Sequence, residues 1–221
     1  MDKIAIIPAR GGSKRLPRKN ILPVNGHSML TYPIKMALES RLFDAVLVST
    51  EDDEIANVAR QAGAEVVIRP QVLAQDKSTV AQVCLHVLEK YPVTEFCCIY
   101  ATAILLKSET LRKAYQELYR DAVTNYVMGV SEYNYPPVQA LKSNEDGFLT
   151  YMWPEYVGKQ SQSYPQLVVS NGTFVWGRRD AFMHDRIFYV KGLRGFLVPT
   201  NESLDIDTQE DYESLLERIK N

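Results

Sequence analysis

Short apolar runs rich in β-branched residues alternate with amphipathic stretches through the first half of this chain. The alternation predicts four strand–helix pairs, at residues 4–8 and 28–40, 45–50 and 52–62, 65–68 and 78–90, and 96–101 and 108–120. Strands that alternate with helices usually form a parallel sheet, with right-handed connections and helices on both faces. We therefore expect an α/β fold with a mostly parallel sheet flanked by helices.

The second half of the chain departs from this rhythm. A strand-like run ends near residue 130, and residues 133–166 are rich in Tyr, Pro, Gln and Asn without helical periodicity. This segment is either an extension that contacts a substrate or a second subunit, or a long irregular loop. Strand-like segments return at 172–176 and 195–198, and a terminal amphipathic helix is predicted at 209–219. We treat residues 1–221 as one domain with 133–170 as its extension.

Composition excludes several classes of protein. A formal net charge of −2 gives no general attraction to nucleic acid or to an anionic membrane. The apolar run at residues 4–7 is too short for a signal peptide or a membrane span, which predicts a cytoplasmic protein. The three cysteines and three histidines lack the spacing of a disulfide framework or a zinc site. Any anion site must therefore come from a local cluster.

Such a cluster follows the first predicted strand, where residues 9–20 read ARGGSKRLPRKN. The segment carries five cations and no acidic residue: Arg10, Lys14, Arg15, Arg18 and Lys19. Gly11 and Gly12 allow backbone N–H groups to approach an anion, and the lysines supply mobile charges. The spacing matches neither the GxxxxGK[ST] loop nor the GxGxxG fingerprint.

This cationic segment has two interpretations. It could be a solvated basic loop or a nucleic-acid patch, since a run of charge is often no more than that. However, ligands of parallel sheets bind at the carboxyl ends of the strands, and no aromatic residue interleaves the cations. Position and composition therefore favour a small anionic ligand such as a triphosphate.

Two carboxylates stand near the end of the chain, in the sequence SLDIDT. In an extended chain Asp205 and Asp207 project to the same side, about 7 Å apart. This suits Mg²⁺, which takes one or two protein carboxylates together with substrate phosphates. Asp207 with Glu210 also resembles the N-cap and reciprocal partner of the terminal helix. The two roles are compatible, and spacing alone does not choose between them.

The segments IIPARGGSKRLPRKN, VSTEDDEIANVARQAGAEVVIRP and LDIDT resemble the CMP-nonulosonate cytidylyltransferases, which activate sialic-acid-like nine-carbon acids to CMP-sugars. The segments CCIYATA, MWPE and FVWG look most like the branch that acts on pseudaminic acid, and the resemblance runs nearly the whole chain. It implies a Rossmann-like sheet of the nucleotidyltransferase type and CTP as donor. It further implies Mg²⁺ as cofactor and a homodimer whose extension reaches the partner's site.

The same resemblance implies roles for individual residues. Lys14 and Lys19 would hold phosphates, while Pro8 and Ala9 would line a base pocket too tight for a purine. Asn20 would meet the ribose. The full predicted nucleotide-binding set is Pro8, Ala9, Arg10, Gly11, Gly12, Ser13, Asn20 and Arg69, with Lys14, Lys19 and Asp207 as catalytic residues and Asp205 and Asp207 as metal ligands.

The predicted sugar-binding residues are Tyr100, Thr102, Gln160 and Asn171. Tyr100 stands where sialic acid enzymes carry the glutamine of QPTS, and Gln160 stands where the pseudaminic branch shows an arginine. Asn171 lies in a SerAsnGly sequence that looks more like the sialic acid branch. These departures leave the identity of the acid open.

The implied reaction is attack by the anomeric hydroxyl of the acid on the α-phosphorus of CTP, with pyrophosphate leaving towards Lys14. Asp207 is the candidate for deprotonating that hydroxyl. Two alternatives remain from the sequence. One is a nucleotidyltransferase with another sugar donor or acceptor, and the other is a nucleotide-binding regulatory protein that has lost catalysis.

Overall fold

The computed structural model describes residues 1–220, in which eleven strands and six α-helices occur. The strands are β1 Lys3–Pro8, β2 Pro23–Val24, β3 His27–Ser28, β4 Ala45–Thr50, β5 Glu65–Ile68, β6 Glu95–Ile99, β7 Tyr126–Glu132, β8 Leu141–Ser143, β9 Leu149–Tyr151, β10 Val168–Arg178 and β11 Leu193–Leu197. The helices are α1 Thr31–Ser40, α2 Asp53–Gln61, α3 Val80–Leu88, α4 Ser108–Glu117, α5 Arg179–Asp185 and α6 Gln209–Lys220.

Seven of the strands form one sheet in the order β11-β7-β10-β6-β1-β4-β5. Strands β6, β1, β4 and β5 pair in parallel, as do β7 and β11, which confirms the mostly parallel sheet. Strand β10 runs antiparallel between β6 and β7. Because β10 runs opposite to β7, the intervening segment leaves and re-enters the sheet at the same edge.

The sheet is buried on both faces, as the continuous apolar runs predict. Along β1, Ala5 and Ile7 pack into one hydrophobic cluster, while Ile4 and Ile6 pack into another. Helices α1, α2 and α4 contribute to the first cluster, and α3 and α5 contribute to the second. The alternation of side chains along each strand thus places a layer of helices on either face.

A third, smaller cluster joins the two ends of the chain. Leu16, from the cationic segment, is buried together with Ile206 and with Leu215 of α6. Ile206 lies between the two aspartates of the LDIDT sequence. Packing of these apolar side chains therefore brings residues 205–207 next to residues 9–20.

Two local features differ from the sequence-based expectation. The helix expected from residue 28 begins at Thr31, because residues 23–28 form the short β2–β3 hairpin. Its turn is Asn25–Gly26, with φ of 43° and 80°, the left-handed conformation that Asn-Gly hairpins favour. Helix α5 was not predicted, since it follows β10 directly and has only seven residues.

Residues 133–167 lie outside the seven-stranded sheet and contain the β8–β9 hairpin with three short 3-10 turns. Several large apolar side chains here face solvent, including Tyr135 at 84% and Phe148 at 72% exposure. The role of this segment as a dimerisation extension stays a prediction. No helix within residues 1–220 is both long and apolar enough to cross a membrane.

Candidate active site

The carboxyl ends of β1, β4 and β6 meet at one edge of the sheet, and the cationic segment lies across that edge. Two adjoining cavities of about 280 Å³ each open there. Four residues line both cavities, which therefore form one elongated cleft: Arg10, Lys19, Asn20 and Asp76.

The first cavity contains seven of the predicted site residues: Pro8, Arg10, Lys19, Asn20, Arg69, Tyr100 and Thr102. The second contains six of them: Arg10, Ser13, Lys14, Lys19, Asn20 and Asp207. Ala9 is fully buried, and its N–H donates to Ser49 O at 3.0 Å, so it fixes the backbone at the start of the loop and does not line either cavity. The roles of these residues remain predictions, but their positions converge on one cleft.

The cationic loop is anchored where it meets the end of β4. The Gly11 N–H donates to Glu51 Oε1 at 2.8 Å, and Arg18 pairs with Asp52 and Glu54. Within the loop, Asn20 Nδ2 donates to Arg10 O at 2.9 Å. A Cβ added at Gly11 would overlap the Asp52 carboxylate, whereas a Cβ at Gly12 would meet open space. Alanine at Gly11 would therefore force the Asp52 carboxylate to shift, whereas alanine at Gly12 would not.

All five loop cations have carboxylate partners, which come from other parts of the chain. Asp76, in the connection between β5 and α3, pairs with Lys14 and with Arg10, whose Nη1 lies 2.9 Å from its Oδ1. Asp207 pairs with Arg15 at 2.5 Å and with Lys19 at 2.9 Å. The segment itself lacks acidic residues, as noted above, yet the folded chain compensates its charge. A bound anion must therefore compete with these carboxylates.

Contact between the loop and residues 205–207 is direct. Lys19 Nζ donates to Asp207 Oδ1 at 2.9 Å and to Ile206 O at 2.7 Å. Partial burial opposes ionisation of Asp207, but Lys19 and Arg15 together outweigh it and lower its pKa. Lost hydration and the neighbouring Asp207 charge raise the pKa of Asp205. The two carboxylates are thus close enough to repel each other.

The interpretation of Asp207 and Glu210 as the helix cap is wrong. Asp211 Oδ2 accepts from the N–H of Thr208 at 2.8 Å and from the N–H of Asp207 at 3.0 Å. In return, Thr208 Oγ1 accepts from the Asp211 N–H at 3.3 Å. Thr208 and Asp211 therefore make the reciprocal contacts at the start of α6. The Asp207 carboxylate faces the cleft instead.

A buried ion pair lies at the opposite end of the cleft. Arg69, just after β5, is 4% exposed and lines the first cavity. Its Nε donates to Glu51 Oε2 at 2.8 Å, and Nη2 lies 2.7 Å from the same oxygen. Sequence reasoning missed both Glu51 and Asp76. The position of Glu51 directly after β4, at the edge where ligands bind, was the signal that could have found it.

The predicted sugar-binding residues separate into three places. Tyr100 and Thr102 follow β6 and line the first cavity, and burial raises the pKa of Tyr100, so its hydroxyl is protonated. Asn171 donates to Ser131 Oγ at 3.1 Å and accepts from Thr173 Oγ1 at 2.7 Å. Gln160 lies in the segment outside the sheet and, within residues 1–220, lines neither cavity.

The chain shares its fold with a solved synthetase and a solved synthase. It is similar to a solved CMP:2-keto-3-deoxy-manno-octonic acid synthetase complexed with CTP, with a TM-score of 0.77, 16% identity, and coverage of 100% of this chain and 99% of that one. It is also similar to a 4-diphosphocytidyl-2C-methyl-D-erythritol synthase from Anaerococcus prevotii, with a TM-score of 0.70, 11% identity and the same coverage.

Sequence comparison identifies the family of this chain. A family model described as cytidylyltransferase matches residues 4–146, and the chain belongs to this family. It is 34% identical to a pseudaminic acid cytidylyltransferase from Campylobacter jejuni, over 96% of this chain and 94% of that protein. It is also 29% identical to an N-acylneuraminate cytidylyltransferase from Streptococcus agalactiae, over 96% of this chain and 52% of that longer protein.

Proposed function

We propose that this cytidylyltransferase transfers CMP from CTP to the anomeric hydroxyl of a nonulosonic acid, with pseudaminic acid favoured as the acceptor, and releases pyrophosphate. One observation carries the proposal: Lys19 of the cationic loop contacts Asp207 directly, so phosphate-binding and acidic groups share one cleft. The pseudaminic acid enzyme of C. jejuni, similar along nearly the full length of both chains, supports the choice of acceptor.

The charges of the cleft suggest how CTP is oriented. The second cavity contains Lys14, Arg15 and Lys19, which suits the triphosphate. The first cavity adds apolar side chains, Leu73 and Val83 among them, which suits the nucleoside. The acid would then lie beside Tyr100 and Thr102, at the end of β6.

Asp205 and Asp207 are the proposed ligands of Mg²⁺. Within residues 1–220, no group of three or more His, Cys, Asp or Glu side chains is arranged to hold a metal ion, so we expect water and substrate phosphates to complete the shell. The donor set fits, because Asp205 loses hydration and lies near the Asp207 charge, which together raise its pKa, and a shared cation would offset both effects. When bound, the ion would neutralise charge that develops on the α-phosphate.

The chain's own residues have complementary roles in this proposal. Lys14 and Lys19 hold the phosphates and stabilise the departing pyrophosphate. Asp207, which is ionised at neutral pH, accepts the proton of the attacking hydroxyl. Positioning and charge stabilisation provide most of the acceleration, as is usual for transfer to phosphorus.

The assay that tests the function measures pyrophosphate release with each of the four nucleoside triphosphates and with pseudaminic, legionaminic and N-acetylneuraminic acids. We expect turnover with CTP alone and the highest kcat/KM with pseudaminic acid. Turnover with another triphosphate, or none with any of the three acids despite CTP binding, would reject the proposal. The second of these results would favour the regulatory protein.

A homodimer is the proposed assembly, in which residues 133–167 of one subunit reach the cleft of the other. This arrangement would bury the exposed Tyr135 and Phe148, and it would bring Gln160 to a sugar site. Phe148→Asp should shift the protein to monomer in analytical ultracentrifugation. The control Val123→Asp, at a residue 69% exposed and outside this segment, should remain dimeric. A monomeric wild type would contradict the assembly.

A further inference from the structure

One carboxylate, that of Glu51, connects the two walls of the cleft. Its Oε1 accepts from the Gly11 N–H at 2.8 Å, and its Oε2 accepts from Arg69 Nε at 2.8 Å. Gly11 belongs to the loop after β1, and Arg69 follows β5, which is the last strand on one side of the sheet. Both oxygens of Glu51 are therefore engaged, each by a different segment.

The surroundings make this bridge rigid. The side chains of Arg69 and Glu51 are 3% and 10% exposed, so their ion pair is shielded from solvent. Removing one partner of such a pair leaves an uncompensated buried charge, which is strongly unfavourable. Glu51 therefore determines where Arg69 can lie.

One guanidinium nitrogen of Arg69 can still donate a hydrogen bond. Although Nη2 is in ion-pair contact with Glu51, it is buried and, among residues 1–220, has no acceptor in hydrogen-bond geometry. Arg69 also lines the first cavity. A buried donor without an acceptor is costly, and a ligand atom that accepts from it relieves that cost. The Glu51–Arg69 pair has no net charge, which suits a neutral acceptor atom of the nucleoside.

We infer that Glu51 is a positioning residue that presents the loop and the Arg69 guanidinium to the bound nucleotide. It orders both walls before binding, so less conformational freedom is lost when the ligand enters. The inference rests on the proposed function, because it takes the cleft to be a nucleoside triphosphate site. Glu51 acts through Gly11 and Arg69.

Two variants separate its contacts. Glu51→Gln retains one oxygen for the Gly11 N–H but places a neutral amide against Arg69, whereas Glu51→Ala removes both contacts. Glu65→Gln, an exposed position on β5, is the matched control. CTP affinity is measured by isothermal titration calorimetry, steady-state kinetics with pseudaminic acid provide KM and kcat, and hydrogen exchange reports on the Gly11 amide.

We expect Glu51→Gln to raise the Kd and KM for CTP about tenfold while kcat changes less than about threefold. The small change in kcat is expected because Lys19 and Asp207, at the reacting end, keep their contact. Glu51→Ala should raise Kd further and accelerate exchange at Gly11. Glu65→Gln should match the wild type.

A lower melting temperature with unchanged Kd would show a purely structural role and overturn the inference. If Glu51→Ala does not fold, the affinity of Glu51→Gln decides alone. A wild type that binds CTP but transfers nothing would end the proposed function, while the Kd values would still test Glu51. A wild type that binds none of the four triphosphates would overturn both.

Discussion

Four of the carboxylates that contact the cationic loop do so in two different ways. Glu51 and Asp52 follow β4 directly, and their side chains are only 10% and 21% exposed. Asp76 and Asp207 lie on connections and are more exposed, at 46% and 31%. We call the first pair the inner carboxylates and the second pair the outer carboxylates.

This difference in exposure suggests a structural role for the inner carboxylates and a ligand-binding role for the outer ones. Shielded ion pairs with well-placed hydrogen bonds fix geometry, because breaking them leaves a buried charge. Exposed pairs contribute little to stability, so they can exchange partners with a ligand at small cost. The inner carboxylates are therefore expected to hold the loop in place, and the outer carboxylates to respond to the triphosphate.

The largest effect is expected at the outer residue Asp207. Asp207→Asn should lower kcat at least about 100-fold, because the proton acceptor is lost, while CTP binding is partly retained because Lys14 and Lys19 still hold the phosphates. Steady-state kinetics and calorimetry measure these quantities. The control Glu210→Gln, on the exposed start of α6, should retain wild-type kcat. Full activity of Asp207→Asn would remove this residue from the mechanism.

The second largest effect is expected from a substitution that displaces the inner carboxylate Asp52. Gly11→Ala should destabilise the protein by about 1–3 kcal/mol, because the added methyl overlaps Asp52. The melting temperature, followed by circular dichroism, should fall by about 5 °C. Gly12→Ala is the matched control, since its Cβ meets open space, and it should melt with the wild type. Equal losses in the two variants would contradict the anchoring described here.

A smaller effect is expected at Asp76, the other outer residue. Asp76→Asn should lower the Kd for CTP about threefold, because the triphosphate no longer displaces a carboxylate from Arg10 and Lys14. Calorimetry at low and high salt measures this, and the gain should shrink as salt screens the charges. Asp180→Asn, exposed at the start of α5, is the control. Weaker binding by Asp76→Asn would mean that Asp76 orients the cations.

The smallest effect concerns pH and Asp52. The hydrogen bonds from Arg18, with Nη2 at 3.1 Å from Oδ1, lower the pKa of Asp52 in the folded protein. A depressed pKa stabilises the fold above the unfolded value of about 3.9, and this stabilisation is lost as pH falls through the folded value. Asp52→Asn retains an oxygen for the helix cap but loses the charge.

Thermal unfolding of wild type and Asp52→Asn across pH therefore tests this pair. The variant should melt about 2 °C lower at pH 7, a modest difference because Arg18 is partly exposed. The difference in melting temperature should disappear below the folded pKa of Asp52, because the protonated Asp52 of the wild type and the Asn of the variant are then both neutral. A difference in melting temperature that does not change with pH would show that it comes from the altered N-cap of α2 and not from the charge of Asp52.

Much of the fold followed from local patterns. The strands β1, β4 and β5 have the predicted bounds to within a residue, and the mostly parallel sheet followed from their alternation with helices. The antiparallel direction of β10 was not predictable, since a strand's apolar pattern reads the same in either direction. The short β2–β3 hairpin was not predicted despite its Asn-Gly pair, and its last residue, Ser28, was assigned to the following helix.

For the site, the sequence by itself determined where the cationic loop lies and which groups it offers, because strand ends and side-chain chemistry are local properties. The tertiary structure alone decided the partners: Asp76 and Asp207 for the loop cations, and Glu51 for Arg69. Most of these pairs join distant segments, and which carboxylate reaches which cation depends on how the whole chain packs.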